Sequence, residues 1–167
     1  MTSETLAATE KVAGPATNAP DDSAEAKGYV TSAARSRNMA AIRRSDTKPE
    51  VLVRSELHRR GFRYRKDFLL EMGSVRPRPD IVFTRLKVAV FIDGCFWHLC
   101  PDHSKIPRNN TDYWEQKLLG NVARDLKYDH ALSGAGWLVV RCWEHEAVDS
   151  VVGKIESVLF AAVGGRR

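Results

Sequence analysis

Residues 88–103, VAVFIDGCFWHLCPDH, crowd an unusual set of side chains behind an apolar run. The run ends in Asp93 and Gly94. Cys95 and Cys100, His98 and His103, and the adjacent aromatics Phe96 and Trp97 then follow within ten residues. A core strand has no need of sulfur and imidazole, and a solvent loop gains nothing from adjacent Phe and Trp. These residue types at this density point to binding or reaction chemistry.

Two carboxylates frame the segment. Asp80 follows Arg-Pro-Arg-Pro at the start of a predicted strand, and Asp93 ends the next one. In a hairpin those positions lie side by side, where two negative charges repel unless a cation sits between them. Hard divalent cations such as Mg²⁺ take oxygen donors of this kind and keep several waters. Strand-end acids facing solvent are the plainer reading. Glu50 is satisfied as an acid in the first turn of a helix. His98 suits a general base near neutral pH, although Cys95-x-x-His98 also has metal-pair spacing.

Cys95, Cys100 and His103 read as soft N/S ligands, which select zinc over magnesium. A fourth ligand must come from Cys142 or His145. Cys142 alternates with Leu138 and Val140 as a core residue would, and His145 lies just past the strand, freer to turn. Phe96, Trp97 and Trp114 are candidates to wedge between DNA base steps, with helix core the competing role for Trp114.

The elements that must position these groups follow from periodicity. Asp46 or Thr47 caps a helix with Pro49 in its first turn, Val51, Leu52 and Leu57 as its apolar face and Gly61 as its stop. Strands are predicted at 62–68, 80–84 and 87–92, the last apolar throughout and hence central. Residues 94–110 form a long irregular segment. A helix over 111–132 presents Trp114, Leu118, Val122 and Leu126 on one face and Lys117, Arg124 and Lys127 on the other. A strand over 137–143 and a helix over 147–163, with Val151, Val152, Ile155 and Leu159 inward, complete the chain. Strands one to three make a meander, and the crossover helix sets strand four parallel to a neighbour. The fold class is α/β: a mixed sheet ordered helix-strand-strand-strand-helix-strand-helix.

Composition bounds the rest. The 167 residues suit one domain with a tail. Residues 1–28 carry five acids against two lysines, so the formal charge of +5 on the whole chain becomes +8 on residues 29–167. Low apolar content predicts that residues 1–28 are disordered, with the functional domain spanning 29–167. A basic domain points to a polyanion, and Arg35, Arg37, Arg43 and Arg44 form a short arm suited to DNA phosphates. Three cysteines argue against a disulfide framework. No apolar run is long enough to cross a membrane, and no secretory signal is evident. A cytoplasmic protein is therefore expected.

The segments RSRNMAAI, SDTKPE, RPRPDIVF, IDGCFWH, TDYWEQKLLGNVARD and GWLVVRCWEHE together resemble the very-short-patch repair (Vsr) DNA mismatch endonucleases, over roughly residues 35–147. The resemblance implies a fold similar to type II restriction endonucleases, with the strand nicked 5′ to the thymine of a T·G mismatch left by 5-methylcytosine deamination. It implies catalytic Mg²⁺ at Asp80 and the Ile92 backbone carbonyl, with Glu50 acting through water and His98 as general base. It implies intercalation by Phe96, Trp97 and Trp114, and structural Zn²⁺ on Cys95, Cys100, His103 and His145. The implied partners are mismatched duplex DNA and mismatch-repair proteins, for a monomer that joins the nucleoid when bound to DNA. The chain departs from the pattern in three places. Some relatives carry His where Asp93 stands, which leaves Asp93 either as a metal ligand or as a substitute in a proton relay. Cys95 occupies the position where restriction nucleases generally place a lysine. His145 stands where a cysteine is common, with His103 shifted by loop length.

Overall fold

The computed structural model describes residues 45–165. The predicted tail at 1–28 and the arm arginines Arg35, Arg37, Arg43 and Arg44 lie outside the described residues.

Helix α1 (Lys48–Arg59) opens at Thr47 with proline in its first turn, and Gly61 follows its end at φ +90°. The N-cap works differently from the expectation. The Thr47 hydroxyl donates to Glu50 Oε1 at 2.7 Å instead of accepting from the backbone, while the Asp46 N–H donates to Glu50 Oε2 at 2.8 Å. Glu50 therefore reaches back over the helix start as the acid of a capping box does. The expected apolar face is also displaced. Val51 and Leu52 are each 45% exposed, and the buried positions are Glu50, Val53, Arg54 and Leu57. That set follows the i, i+3, i+4, i+7 rule, but two of its members are charged, which disguises the stripe in the sequence.

Strands β1 (Arg65–Lys66), β2 (Ile81–Phe83), β3 (Val88–Asp93) and β4 (Leu138–Trp143) form one sheet in the order β1-β2-β3-β4. The first three pair antiparallel, with Arg65 opposite Val82 and Ile81 opposite Val90. β4 runs parallel to β3, from Val88 opposite Leu138 to Asp93 opposite Trp143. The meander and the parallel crossover are thus as expected. The first strand is shorter than its alternation suggested: only Arg65–Lys66 joins the ladder, although Phe62 and Tyr64 still turn inward onto Phe83, edge to face.

Helix α2 (Thr111–Gly134) makes the crossover, and α3 (Val148–Gly164) follows β4. One core lies between the sheet and helices α1 and α3, built on Leu57, Ile81, Val88, Val90, Val151, Val152, Ile155 and Leu159. A smaller one on the opposite face joins Leu70, Val82, Ala89 and Phe91 to Leu132 of α2. Arg60 links α1 to α3 through Glu156 and Asp149, each at 3.0 Å. On α2 the expected stripe is corrected. Leu126 is 57% exposed, and the buried residues are Trp114, Leu118, Asn121 and Leu132. Among the described residues no helix is long and apolar enough to cross a membrane.

Candidate active site

The antiparallel register brings the N-terminal end of β2 alongside the C-terminal end of β3. Asp80 sits at that end, and the Ile92 N–H donates to its Oδ2 at 2.7 Å. Burial pushes the Asp80 carboxyl up to about 7. The Ile92 hydrogen bond opposes this, and the charges of Glu50 and Asp93 add to it. Three acids from α1, β2 and β3 thus crowd one end of the sheet, and Asp80 is left in need of positive charge. Glu50 is itself 4% exposed and held by the turn at Asp46–Thr47 and by Arg54 Nη1 at 3.5 Å.

Asp93 faces a different partner. Both of its oxygens lie 2.8 Å from Arg141 Nη1 on β4, and His98 Nδ1 is 3.7 Å away. Burial raises the Asp93 pKa and the Arg141 charge works against that rise. Arg141 also donates through Nε to Asp129 of α2 at 3.0 and 3.1 Å and lies 4.5 Å over the Phe91 ring. Its Nη2 is 3.7 Å from Asp125 Oδ1 and finds no hydrogen-bond partner among the described residues. These groups, with Val122, Leu126, Cys142 and Trp143, line a cleft of about 200 Å³.

His98 is oriented by α2. Its Nδ1 lies 2.5 Å from Asp125 Oδ2. Burial tends to raise the Asp125 pKa, but the His98 hydrogen bond, followed by the charges of His98 and Arg141, holds it below the usual carboxylate value. An ionised carboxylate only accepts, so Nδ1 is the donor in this pair, and in the neutral imidazole the lone pair then falls on Nε2. That is the tautomer a general base needs. One turn earlier, Asn121 Nδ2 donates to the Trp97 carbonyl at 3.1 Å and Asn121 Oδ1 accepts from Arg124 at 3.2 Å.

The aromatics gather on the far side of this loop. Phe96 packs edge-on against Trp97 and Trp114 at centroid distances of 5.0 and 5.4 Å, and Tyr113 meets Trp114 at 5.4 Å. Trp114 is 4% exposed and forms the floor; Phe96 and Trp97 are half-buried above it, and Tyr113 is open to solvent.

The sulfur and imidazole groups converge separately. Ligand atoms of Cys95, Cys100, His103 and His145 all lie within 4.8 Å of one another. Cys95 Sγ is 3.1 Å from His145 Nδ1, and Cys100 Sγ is 3.7 Å from both His103 Nδ1 and His145 Nδ1. A tetrahedral ion with bonds of about 2.0–2.3 Å spaces its donors by roughly 3.3–3.8 Å, so this set can hold a metal. Burial and then the Cys100 thiol push the Cys95 thiol up to about 11, so a cation is what would favour its thiolate. His145 completes the group, while Cys142 is buried in the main core. The loop is pinned to β4 at its start: the Cys95 N–H donates to Glu144 Oε1 at 2.6 Å and the Glu144 N–H to the Asp93 carbonyl at 3.0 Å.

The structure therefore brings Glu50, Asp80, Ile92, Asp93 and His98 to one end of the sheet, with the Cys/His cluster and the aromatics on either side of their shared loop. Sequence reasoning missed Asp125, Asp129, Arg141, Asn121 and Glu144. The available signal was the spacing of Asn121 and Asp125, an i, i+4 polar pair set into an otherwise apolar stripe.

Comparison with known proteins gives this arrangement its class. The family model for the DNA mismatch endonuclease Vsr matches residues 28–103. The type II nicking enzyme V.NaeI of Lentzea aerocolonigenes is 56% identical over 128 residues, spanning 76% of this chain and 77% of its own. The type II nicking enzyme V.NmeAIP of Neisseria meningitidis is 42% identical, over 73% and 85% of the two chains. The DNA mismatch endonuclease Vsr of Escherichia coli is 35% identical, over 67% and 70%. The protein is a DNA endonuclease, and its mixed sheet with flanking helices is of the restriction-endonuclease-like kind. More narrowly, the chain belongs to the Vsr family.

Proposed function

We propose that this endonuclease is Mg²⁺-dependent and nicks the thymine-containing strand 5′ to the thymine of a T·G mismatch, the product of 5-methylcytosine deamination. The observation that carries the reading is His98, held by Asp125 through Nδ1, on the same loop that presents Phe96 and Trp97. Cutting of one strand is supported by relatives named as nicking enzymes.

The donor set fits a hard divalent cation: an aspartate pushed up by burial and further by the charges of Glu50 and Asp93, a strand-end carbonyl at Ile92, and Glu50 to act through water. When bound there, Mg²⁺ supplies charge to the scissile phosphate and the leaving oxygen. The chain's own residues do the remainder. His98 Nε2 accepts the proton of the attacking water, and Asp125 steadies the imidazolium that results. Asp93, with both oxygens on Arg141, serves that ion-pair network rather than the cation.

Phe96 and Trp97, braced by Trp114, wedge into the base stack. Unstacking costs a few kcal/mol per step, and a wobble pair deforms more readily than a Watson–Crick pair, so the wedge itself favours the mismatch. Zn²⁺ on Cys95, Cys100, His103 and His145 holds the loop in shape, and the arm arginines Arg35, Arg37, Arg43 and Arg44 contact phosphates. The test is incubation with Mg²⁺ and two duplexes that differ only in one T·G pair. Nicking confined to the mismatched duplex, on the thymine strand, is expected; equal cutting of both, or of neither, overturns the reading.

A further inference from the structure

The Arg-Pro-Arg-Pro run at 76–79 ends on Asp80, yet neither arginine has a part in the chemistry above. Its conformation is dictated covalently. Each proline fixes its own φ and drives the residue before it into extended backbone. Both prolines are fully buried, and Arg76 and Arg78, each just before a proline, are exposed. The run is fixed in register with the segment after β1, because the Leu70 N–H donates to the Pro77 carbonyl at 2.9 Å and the Asp67 N–H to the Asp80 carbonyl at 3.2 Å. Two arginines thus leave the backbone on one face two residues apart, their Cα positions about 6.6 Å apart along the chain, a spacing from which both guanidinium groups can meet successive phosphates of one DNA strand.

Their present partners are weak. Arg78 reaches the Asp67 carboxylate at 3.3 Å and its backbone carbonyl at 3.2 Å, Arg76 reaches Glu71 at 3.8 Å, and every member of these pairs is exposed. Such pairs contribute little and are screened by salt. A phosphate, which takes a guanidinium bidentately, is the stronger acceptor.

We propose that Arg76 and Arg78 form a phosphate-binding rail that leads one strand of the duplex to Asp80. The proposal rests on DNA being the substrate and requires nothing of the mismatch. It is tested by measuring binding of a perfectly matched, fluorescently labelled duplex across a salt series without divalent cation. The full chain, its R76A/R78A variant and an R59A control are compared. Arg59 is exposed and lies nine residues beyond Glu50 on α1, roughly 13 Å along the helix.

Each phosphate contact adds about 0.9 to the slope of log K against log salt, so the double variant should lose about 1.8. It should weaken on matched and T·G duplexes alike, with R59A unchanged. An unchanged slope in the double variant, or an equal loss in R59A, overturns the rail. The two readings fail separately. Wild-type nicking of T·G with no change of slope in the variant sinks the rail alone. The expected loss of slope in a protein that cuts both duplexes equally sinks the mismatch reading and leaves the rail standing.

Discussion

Asn121 and Asp125 stand one turn apart on α2 and hold two consecutive residues of the loop after β3, Trp97 by its carbonyl and His98 by its Nδ1. One rigid helix thereby sets the distance between the proposed base-stack wedge at Trp97 and the proposed proton acceptor at His98. The coupling gives α2 a role beyond its crossover, and it explains why two polar residues occupy positions where packing alone would ask for Leu or Ala.

Asp125→Asn tests half of that arrangement. The amide can donate to the imidazole, which draws the ring proton to Nε2 and removes the lone pair that accepts from water. Single-turnover nicking is expected to fall by about 10²–10⁴-fold, while DNA affinity measured without nicking stays within a few-fold of wild type. A parallel loss of affinity would mean that Asp125 holds the loop and not the tautomer.

The sheet was legible in the sequence because β3 and β4 announce themselves by apolar runs and α3 by a regular stripe. The Cys/His cluster was legible from residue type alone, since soft ligands this close have few other uses. The stripes of α1 and α2 were misread at Val51, Leu52 and Leu126 because Glu50, Arg54, Asn121 and Asp125 occupy inward positions. Periodicity scores hydrophobicity, and where a helix turns its functional residues inward the signal is inverted. Arg141 was invisible for another reason: its partners, Asp93 on β3 and Asp125 and Asp129 on α2, come from two separate stretches of chain, and only the fold brings them to β4.

Asp80→Asn separates activity from stability. The folded-state carboxyl titrates near 7, above its ordinary 3.8, so the folded protein binds the proton more tightly than the unfolded chain. The group's contribution is favourable below about pH 4 and is lost as pH rises to 7. Without divalent cation, the variant should therefore be more stable than wild type at pH 8, by on the order of 4 kcal/mol, with the difference vanishing near pH 4. Nicking should be abolished at every pH. Denaturant unfolding at the two pH values checks the first claim, and a variant no more stable at pH 8 would contradict the burial of Asp80 beside Glu50 and Asp93.

Cys100→Ser should remove one of four ligands from the loop cluster. Bound zinc per chain is expected to drop well below one, and the melting temperature to fall with it, because a staple of this kind stabilises a loop that has little core of its own. Mass spectrometry under native conditions, before and after a strong chelator, reads the metal directly. A wild-type protein that carries no zinc and melts unchanged after chelation would remove the structural role.

Arg141 gives the most discriminating stability prediction. Asp93 is buried and its two oxygens both face Arg141 Nη1, so Arg141→Gln strands a carboxylate among Asp80 and Asp125. Breaking a buried pair from one side costs about 3 kcal/mol, and that loss should appear in urea unfolding at pH 8. Replacing both partners, as Asp93→Asn with Arg141→Gln, removes the stranded charge and should recover most of it. The double variant should still nick more slowly than wild type, because Arg141 also faces Asp125 Oδ1 and steadies the carboxylate that orients His98. If the two substitutions were additive in stability, Asp93 and Arg141 would be independent of each other, and the magnesium-ligand role for Asp93 would regain its standing.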